Sequence, residues 1–279
     1  MLHRGGGAEA SAGVLPGRVQ EAFEVLGGRI GSGVLVLCDH ASNAIPAEYA
    51  GLGLPPGELK RHIAWDIGAA GVARALAARL AAPAILSRFS RLLIDPNRGL
   101  DDPTLVMRLS DGAIIPGNAT IGEAEKRRRI ARFYRPYDEA ISRAVAAFRA
   151  AGIDPALVSI HSFTPVWRGV RRPWHAGLLY DPRDPDFSVA LMEALRREPG
   201  LVIGDNQPYR GGLSGDTMDR HGFARGLPHA LVEVRQDLIA TPEGQAEWAA
   251  RIAAATASAL DAIGGVREYT GCCAAASDE

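Results

Sequence analysis

Short apolar runs alternate with longer segments of helical periodicity along this chain. The run Val34–Cys38 is apolar at every position, which is typical of a strand buried on both faces of a sheet. Ala230–Val234 has the same character, except that it contains Glu233. Similar runs predict further strands at 84–86, 92–94, 157–160, 176–179 and 201–203.

Four longer segments have apolar residues at helical spacing. They cover 66–82, 120–151, 186–198 and a last segment that starts at Thr241, an expected N-cap. In the second segment, Thr120 and Glu123 form the pattern of a capping box, and Pro136 should kink or split the helix. The basic run Lys126–Arg129 is interpreted as a solvent-exposed helix face rather than an anion site.

This alternation predicts an α/β fold with three layers. We expect a mostly parallel or mixed central sheet with helices on both faces. Residues 19–267 show no linker or shift of composition, so a single domain is predicted there. The Gly- and Ala-rich start, residues 1–18, and the polar end, residues 268–279, are predicted to be disordered tails.

The charge and cysteine content excludes several classes of partner. Lys+Arg number 31 against Asp+Glu 32, so nothing favours binding to nucleic acid or to an anionic membrane. No run approaches the ~20 apolar residues of a membrane span, and the first residues lack the apolar stretch of a secretory signal. The three cysteines suggest no disulfide framework, so a cytoplasmic protein is expected.

Candidate chemistry lies at the carboxyl ends of the predicted strands, where active sites of parallel sheets form. His40 follows the first apolar run, and His161 follows the run 157–160. Asp66 begins the first long helix, although N-capping alone would explain an acid there. Two imidazoles and a carboxylate match the three protein ligands of a catalytic zinc site. Taken singly, each histidine is more often a hydrogen-bonded structural residue.

Glu233 is the residue for which a purely structural role is the least satisfactory explanation. An ionised carboxylate among Leu231, Val232 and Val234 is costly to bury without a partner. Such a carboxylate can act as general base on a metal-activated water. The structural alternative is a buried ion pair with Arg235.

Several segments, taken in order, resemble the N-formylglutamate amidohydrolase family. They are Asp39-His40-Ala41-Ser42-Asn43 with Pro46, Ser87–Arg98, Ser159–Phe163, Gly204–Tyr209 and Val232–Arg235. The resemblance runs from about residue 33 to about residue 262. It implies a fold related to zinc carboxypeptidases and zinc-dependent cell-wall amidases. It also implies hydrolysis of N-formyl-L-glutamate to formate and L-glutamate, a step of histidine breakdown.

The resemblance implies roles for individual residues. His40 and His161 become ligands of a divalent metal, with zinc expected, and Glu233 takes the position of the catalytic carboxylate. Asp66 is favoured as the acidic ligand, because the cell-wall amidases have theirs at the start of the following helix. Carboxypeptidases instead have a glutamate at the position of Asn43, which stays open as an alternative.

Arginines are the expected anchors for the carboxylates of the substrate, since the planar guanidinium binds carboxylate through two hydrogen bonds. Asn97 and Arg98 match the pair that holds the substrate carboxylate in related carboxypeptidases. Arg91 is the second choice, for which a structural ion pair is equally expected, and Arg210 and Arg235 lie near motif residues.

Two residues differ from what the resemblance implies and leave more than one function open. Asp138 stands where typical family members have histidine, and Asn43 is also unusual. Two alternatives therefore remain: a related amidase for another N-acyl amino acid or a peptidoglycan-type amide, and a binding protein without catalysis. The glycine-rich segment 210–216 lacks the ending of a phosphate-binding loop. His221 and His229 are interpreted as surface histidines.

Overall fold

An eight-stranded mixed sheet organises the part of the chain that the structure, a computed structural model, describes: residues 13–270. Its strands are β1 Arg18–Val19, β2 Phe23–Leu26, β3 Val34–Cys38, β4 Ala84–Ser87, β5 Ala156–Phe163, β6 Ala176–Leu179, β7 Ile203–Asp205 and β8 His229–Arg235. Their order across the sheet is β7-β6-β8-β5-β3-β4-β2-β1. The four central strands, β8, β5, β3 and β4, run parallel, and β6 and β2 flank them in the antiparallel direction.

Helices cover both faces of this sheet. They are α1 Ala69–Leu80, α2 Pro116–Ala119, α3 Glu123–Arg129, α4 Arg135–Ala150, α5 Asp186–Arg196, α6 Thr217–His221 and α7 Pro242–Ala262. Side chains alternate between the two faces of a strand. On β3, Val34 and Val36 share a core with α1, α5 and α7, whereas Leu35 and Leu37 share the other core with α4. The predicted α/β fold with a mixed central sheet is confirmed.

The long helical segment 120–151 is divided, as Pro136 predicts. A π-helical turn follows α3, in which the N–H of Arg135 donates to the carbonyl of Ile130. Pro136 lies in the first turn of α4 and has no N–H to continue the regular ladder of hydrogen bonds. The predicted capping box is wrong, because α3 begins after Gly122 and Thr120 ends α2 instead.

Two further predictions in this region need correction: the strand at 92–94, and the exposed helix face Lys126–Arg129, which holds for Arg127 and Arg128 but not for Arg129. Residues 92–94 form a buried turn rather than a strand, with the N–H of Leu93 donating to the carbonyl of Ser90. Arg129 is 2% exposed and donates to the carbonyl of Leu93 and to Oδ1 of Asn118. Buried carbonyls need donors. This turn is not paired with a neighbouring strand. The buried guanidinium of Arg129 supplies the hydrogen-bond donor that a strand would otherwise provide.

Backbone pairing also orders residues that were predicted to lie in the tails. Val14–Leu15 pairs with Gly28–Arg29, and Arg267–Glu268 pairs with Ile153–Asp154. Residues 1–12 and 271–279 lie outside the described residues, so disorder there stays a prediction, as does the single domain. Two small hairpins stand apart from the sheet, Leu109–Ser110 with Ala113–Ile114 and Val166–Trp167 with Val170–Arg171.

The parallel strands deliver the candidate residues to one edge of the sheet. His40 lies two residues after the end of β3. In the pairing of β5 with β8, His161 lies directly opposite Glu233. Parallel neighbours in register direct their side chains to the same face, so these two side chains share one site.

Candidate active site

Three buried side chains meet at this edge of the sheet: His40, Asp66 and His161. Nδ1 of His40 lies 3.3 Å from Oδ2 of Asp66, and Nδ1 of His161 lies 2.8 Å from the same oxygen. The three prospective ligand atoms all lie within 4.8 Å of one another. Two imidazoles and one carboxylate around a single point are a typical ligand set for a divalent metal.

The other ring nitrogen of each imidazole lies against a further carboxylate, which is a different aspartate for each histidine. Nε2 of His40 lies 2.8 Å from Oδ1 of Asp95, and Nε2 of His161 lies 3.0 Å from Oδ2 of Asp39. A neutral imidazole can carry its proton on Nε2, where the ionised carboxylate of Asp95 or Asp39 accepts it. Each Nδ1 then directs a lone pair toward Asp66. Carboxylate–histidine pairs of this kind orient metal-binding imidazoles in proteins.

The chemistry of these donors fits a cation. With both Nε2 atoms protonated, two nitrogen lone pairs and the carboxylate of Asp66 converge, and Arg91 Nη1, at 3.4 Å from Nδ1 of His40, and the N–H of Ser162 are the donors beside them. A divalent metal would satisfy all three acceptors together. Burial lowers the pKa of His161, but the hydrogen bonds to Asp39 and Asp66 hold it well above its usual value.

Asp39 connects this centre to three elements of the fold. Besides His161, it accepts hydrogen bonds from Ser159 Oγ of β5 at 2.9 Å, Tyr137 OH of α4 at 3.0 Å and Thr217 Oγ1 of α6 at 2.8 Å. Burial alone would raise the pKa of Asp39, but the hydrogen bond and the charge of His161 lower it. The carboxylate is therefore ionised and held in one orientation.

Glu233 is an unpartnered carboxyl group beside the three ligands. It is 6% exposed, and its Oε2 atom has no hydrogen-bond partner among the described residues. Burial raises the pKa of Glu233 to about 7. The alternative of an ion pair with Arg235 is wrong, because that guanidinium donates to Asp237 and to the carbonyls of Arg172 and Trp174.

A cavity of about 360 Å³ opens onto these groups, and Arg98 and Asn97 line it. Arg98 donates only to neutral acceptors, the carbonyl of Asn97 at 2.8 Å and the hydroxyl of Thr104 at 3.2 Å. Its charge is therefore not neutralised by these contacts. The amide oxygen of Asn97 accepts from the N–H of Thr217 at 3.0 Å, which fixes this segment against α6.

The other candidate arginines differ in their surroundings. Arg91 lines the cavity but donates twice to Oδ2 of Asp95, at 3.2 and 2.8 Å, so its charge already has a partner. Arg210 lines the cavity and is exposed. Arg235 is not among the residues that line the cavity, so the structure does not bring it to the site.

Asn43 also lies away from the ligand cluster. Its amide donates to the carbonyl of Leu59 at 2.8 Å, and it does not line the cavity. The side chain that faces both imidazoles is that of Asp66. Of the two acidic-ligand alternatives, the geometry therefore favours Asp66.

Comparison with known proteins identifies the family of this chain. Residues 32–240 match the family model of N-formylglutamate amidohydrolases, which is most of the chain. The chain belongs to the N-formylglutamate amidohydrolase family. Membership indicates an amidohydrolase, an enzyme that hydrolyses amide bonds.

Solved structures share the fold. A gene product of Agrobacterium tumefaciens is 35% identical with a TM-score of 0.81, over 88% of this chain and 96% of that one. An N-formylglutamate amidohydrolase from Ralstonia eutropha is 22% identical with a TM-score of 0.60, over 85% of this chain and 96% of that one. No curated protein matches this chain in sequence. None of the described helices has the length and apolar composition that crossing a bilayer requires.

Asp138, which departs from the typical family pattern, lies in a separate polar cluster. Its Oδ1 accepts from Nε of Arg220 at 2.9 Å and lies 2.7 Å from Nε2 of His221. His221 is 1% exposed and His229 is 3% exposed, so interpreting them as surface histidines was wrong. Each is buried with a local polar partner, which for His229 is the carbonyl of Leu227 at 2.8 Å.

The glycine-rich segment of this family member forms part of the cavity wall. A Cβ atom at Gly211 would lie 2.3 Å from the backbone nitrogen of Tyr180, so only glycine allows this close approach to the end of β6. Gly211 and Gly212 both line the cavity. Close packing therefore accounts for these glycines without a phosphate ligand.

Sequence reasoning did not assign roles to Asp39 and Asp95, although both stand in the family segments. Asp39 directly precedes His40, Asp95 lies two residues before Asn97, and both are fully buried. An aspartate adjacent to a strand-end histidine was the available signal. Its partner His161 lies 122 residues away, which the sequence pattern could not reveal.

Proposed function

We propose that this chain hydrolyses the amide bond of an N-acyl amino acid in a metal-dependent reaction. N-formyl-L-glutamate, which yields formate and L-glutamate, is the substrate that the family implies. The observation that carries the proposal is the convergence of both Nδ1 atoms on Asp66, beside the unpartnered carboxyl group of Glu233.

His40, Asp66 and His161 are the residues that would hold the metal. Their nitrogen and oxygen donors suit zinc, which is commonly bound by three such ligands in hydrolytic sites. A metal held there supplies a Lewis acid that polarises the scissile carbonyl and makes a water molecule more acidic. Asp39 and Asp95 keep both imidazoles in the tautomer that leaves Nδ1 unprotonated.

Glu233 is the proposed general base and acid. Its carboxylate takes a proton from the attacking water, whose oxygen forms a bond to the acyl carbon. The same proton then passes to the amide nitrogen as the carbon–nitrogen bond breaks, so the products are a carboxylic acid and a free amine. A base must be ionised. Burial opposes this in Glu233, and the positive charge of a bound metal would favour it.

Arg98 is the proposed anchor for the α-carboxylate of the amino acid, together with Asn97. Its guanidinium lines the cavity and faces only neutral acceptors, so it can still form a charge-assisted pair. Arg210 is the second candidate for the other carboxylate of glutamate. Arg91 is better explained as a partner of Asp95 that holds the centre together.

The test combines metal analysis with product detection. Protein purified and then supplied with Zn²⁺ should release formate and L-glutamate from N-formyl-L-glutamate. A chelator should stop the reaction, and added Zn²⁺ should restore it. A protein that retains no divalent metal, or that hydrolyses the amide equally well after metal removal, would contradict the proposal.

A further inference from the structure

The cavity continues beyond the catalytic groups along the face of β8. Glu233, Leu231 and His229 all line it, and they are alternate residues of one strand. Alternate side chains point to the same face, and each residue adds about 3.3 Å along the strand. The cavity therefore extends over about 13 Å from Glu233 to His229, with Leu231 about halfway.

The middle of this extension is apolar. Leu231 lies opposite Leu179 in the pairing of β8 with β6, and Met218 of α6 and Phe223 line the same cavity. Leu179, Met218 and Leu231 belong to the hydrophobic core yet remain 7%, 6% and 6% exposed. We call the space bordered by Leu179, Met218, Phe223 and Leu231 the apolar recess.

N-formyl-L-glutamate would make little use of this recess. A formyl group has no carbon beyond its carbonyl. The glutamate half carries two carboxylates, which lose hydration without gaining partners beside leucine and methionine. The whole cavity, at about 360 Å³, also falls in the range of ~300–1,000 Å³ that is typical of sites for larger ligands.

We propose that the apolar recess binds the acyl group of the substrate, and that this group is an aliphatic chain of several carbons. The inference rests on the proposed hydrolysis of N-acyl amino acids. It places the charged amino-acid half with Arg98 and the apolar half along β8. Burial of each methylene in the recess would stabilise the bound substrate.

The far end of the cavity limits the length of this chain. Asp181 and His229 line that end, and both are polar groups with their own partners, Arg183 and the carbonyl of Leu227. A methyl group pressed against them would displace water from polar atoms without replacing its hydrogen bonds. The best chain should therefore fill the apolar recess and stop before His229.

A series of N-acyl-L-glutamates tests the proposal with the zinc-loaded, full-length protein. The acyl groups are formyl, acetyl, butanoyl, hexanoyl and decanoyl, and kcat/KM is measured for each. We expect kcat/KM to rise about fourfold per added methylene up to hexanoyl, and to fall for decanoyl. A steady decline from formyl onward would overturn the inference while leaving the proposed function intact.

Two substitutions and a control locate the effect. Leu231→Phe should lower the ratio of kcat/KM for hexanoyl over formyl at least tenfold, and Leu231→Ala should shift the optimum to a longer chain. Val232→Ala is the matched control, because Val232 faces the opposite core and should leave the ratio unchanged. If both Leu231 variants fold, as judged by thermal melting, and neither changes the ratio, the acyl group lies elsewhere.

A second substrate set separates the remaining outcomes. If N-formyl-L-leucine is hydrolysed more efficiently than N-formyl-L-glutamate, the recess takes the amino-acid side chain and the acyl assignment is wrong. If no N-acyl amino acid in either set is hydrolysed, the proposed function fails, and the inference fails with it.

Discussion

Two buried clusters in this molecule combine histidine with aspartate, yet they differ in how their hydrogen bonds are matched. In the first, the Nδ1 atoms of His40 and His161 both lie against Oδ2 of Asp66, which also accepts from the N–H of Ser162. In the second, Asp138 accepts from Arg220 and lies within hydrogen-bond distance of His221. In this second cluster, side-chain nitrogens of Arg220 and His221 face the carboxylate of Asp138.

The second cluster holds the backbone of Arg98, the proposed substrate anchor. Arg220 donates to the carbonyls of Pro96 and Gly215, and the ring of Tyr134 lies 5.0 Å from its guanidinium. Tyr134 in turn donates to the carbonyl of Arg98 at 2.9 Å. In this cluster Arg220 matches the charge of Asp138, while Nδ1 of His221 has no hydrogen-bond partner among the described residues.

The difference shows why buried acids and histidines do not by themselves indicate a metal. Burial favours pairing of every charge and every polar atom. Where the protein supplies both donor and acceptor, the cluster holds structure together. Around Asp66 two imidazole nitrogens and a carboxylate converge, with the N–H of Ser162 and the guanidinium of Arg91 as the donors beside them, and this is the cluster in which we propose a metal.

The largest expected effect comes from removing a proposed ligand. Asp66→Asn keeps the shape of the side chain but removes its charge and one acceptor. It should lose the metal and reduce hydrolysis to background, because one of three protein ligands is gone. Elemental analysis after dialysis measures the metal, and Asn43→Ala is the control that should keep it. Full metal occupancy in Asp66→Asn would remove Asp66 from the ligand set.

The next effect concerns the unpartnered carboxyl group. Glu233→Gln cannot accept a proton and should lower kcat by about 10²–10⁴-fold, while the metal content stays that of the unsubstituted protein. Steady-state kinetics with matched metal analysis measures this. Near-normal turnover in a folded, metal-bound Glu233→Gln protein would show that another group is the base.

A smaller effect is expected from the carboxylate that orients His40. Asp95→Asn still allows a hydrogen bond to Nε2 of His40 but no longer selects its tautomer. Loss of such a partner typically weakens metal binding or activity by about 10–100-fold, less than loss of a ligand. Competition with a chelator of known affinity measures the change. An unchanged zinc affinity would show that Asp95 serves only to hold Arg91.

The smallest effect on the metal centre is expected from the second cluster. Asp138→Asn should leave metal content unchanged and lower the free energy of unfolding by about 1–3 kcal/mol, as for hydrogen bonds to a charged group. Burial raises the pKa of Asp138, but the hydrogen bonds and charges of His221 and Arg220 outweigh it and lower the value to about 2.

The pH dependence of this effect follows from the lowered pKa. A carboxyl group with a lower pKa in the folded state contributes stability above its unfolded value of 3.8, and this is lost as pH falls toward 2. Thermal melts between pH 2 and pH 6 should therefore show the difference between Asp138→Asn and the unsubstituted protein shrinking below pH 4. Loss of zinc from Asp138→Asn at pH 7 would mean that the two clusters are not independent.

The sequence by itself determined the parts of this protein that depend on near neighbours. The apolar run Val34–Cys38 is a strand with the predicted bounds, and α7 begins at Pro242 with Thr241 Oγ1 accepting from the N–H of Gly244. Strand alternation and N-capping are local, so they are visible in a few consecutive residues. The family segments likewise pointed to His40 and His161, whereas Asp66 was favoured by its place at the start of a helix.

Only the tertiary structure decided which groups satisfy one another. Asp39 accepts a hydrogen bond from Thr217, which lies 178 residues further along the chain. The buried Arg129 donates to the turn at 92–94, for which the sequence pattern predicts a strand. The extension of the cavity along β8 as far as His229 is likewise a product of packing between β6, α6 and β8. Partners so distant in sequence leave no periodic signal, because the fold alone brings their atoms together.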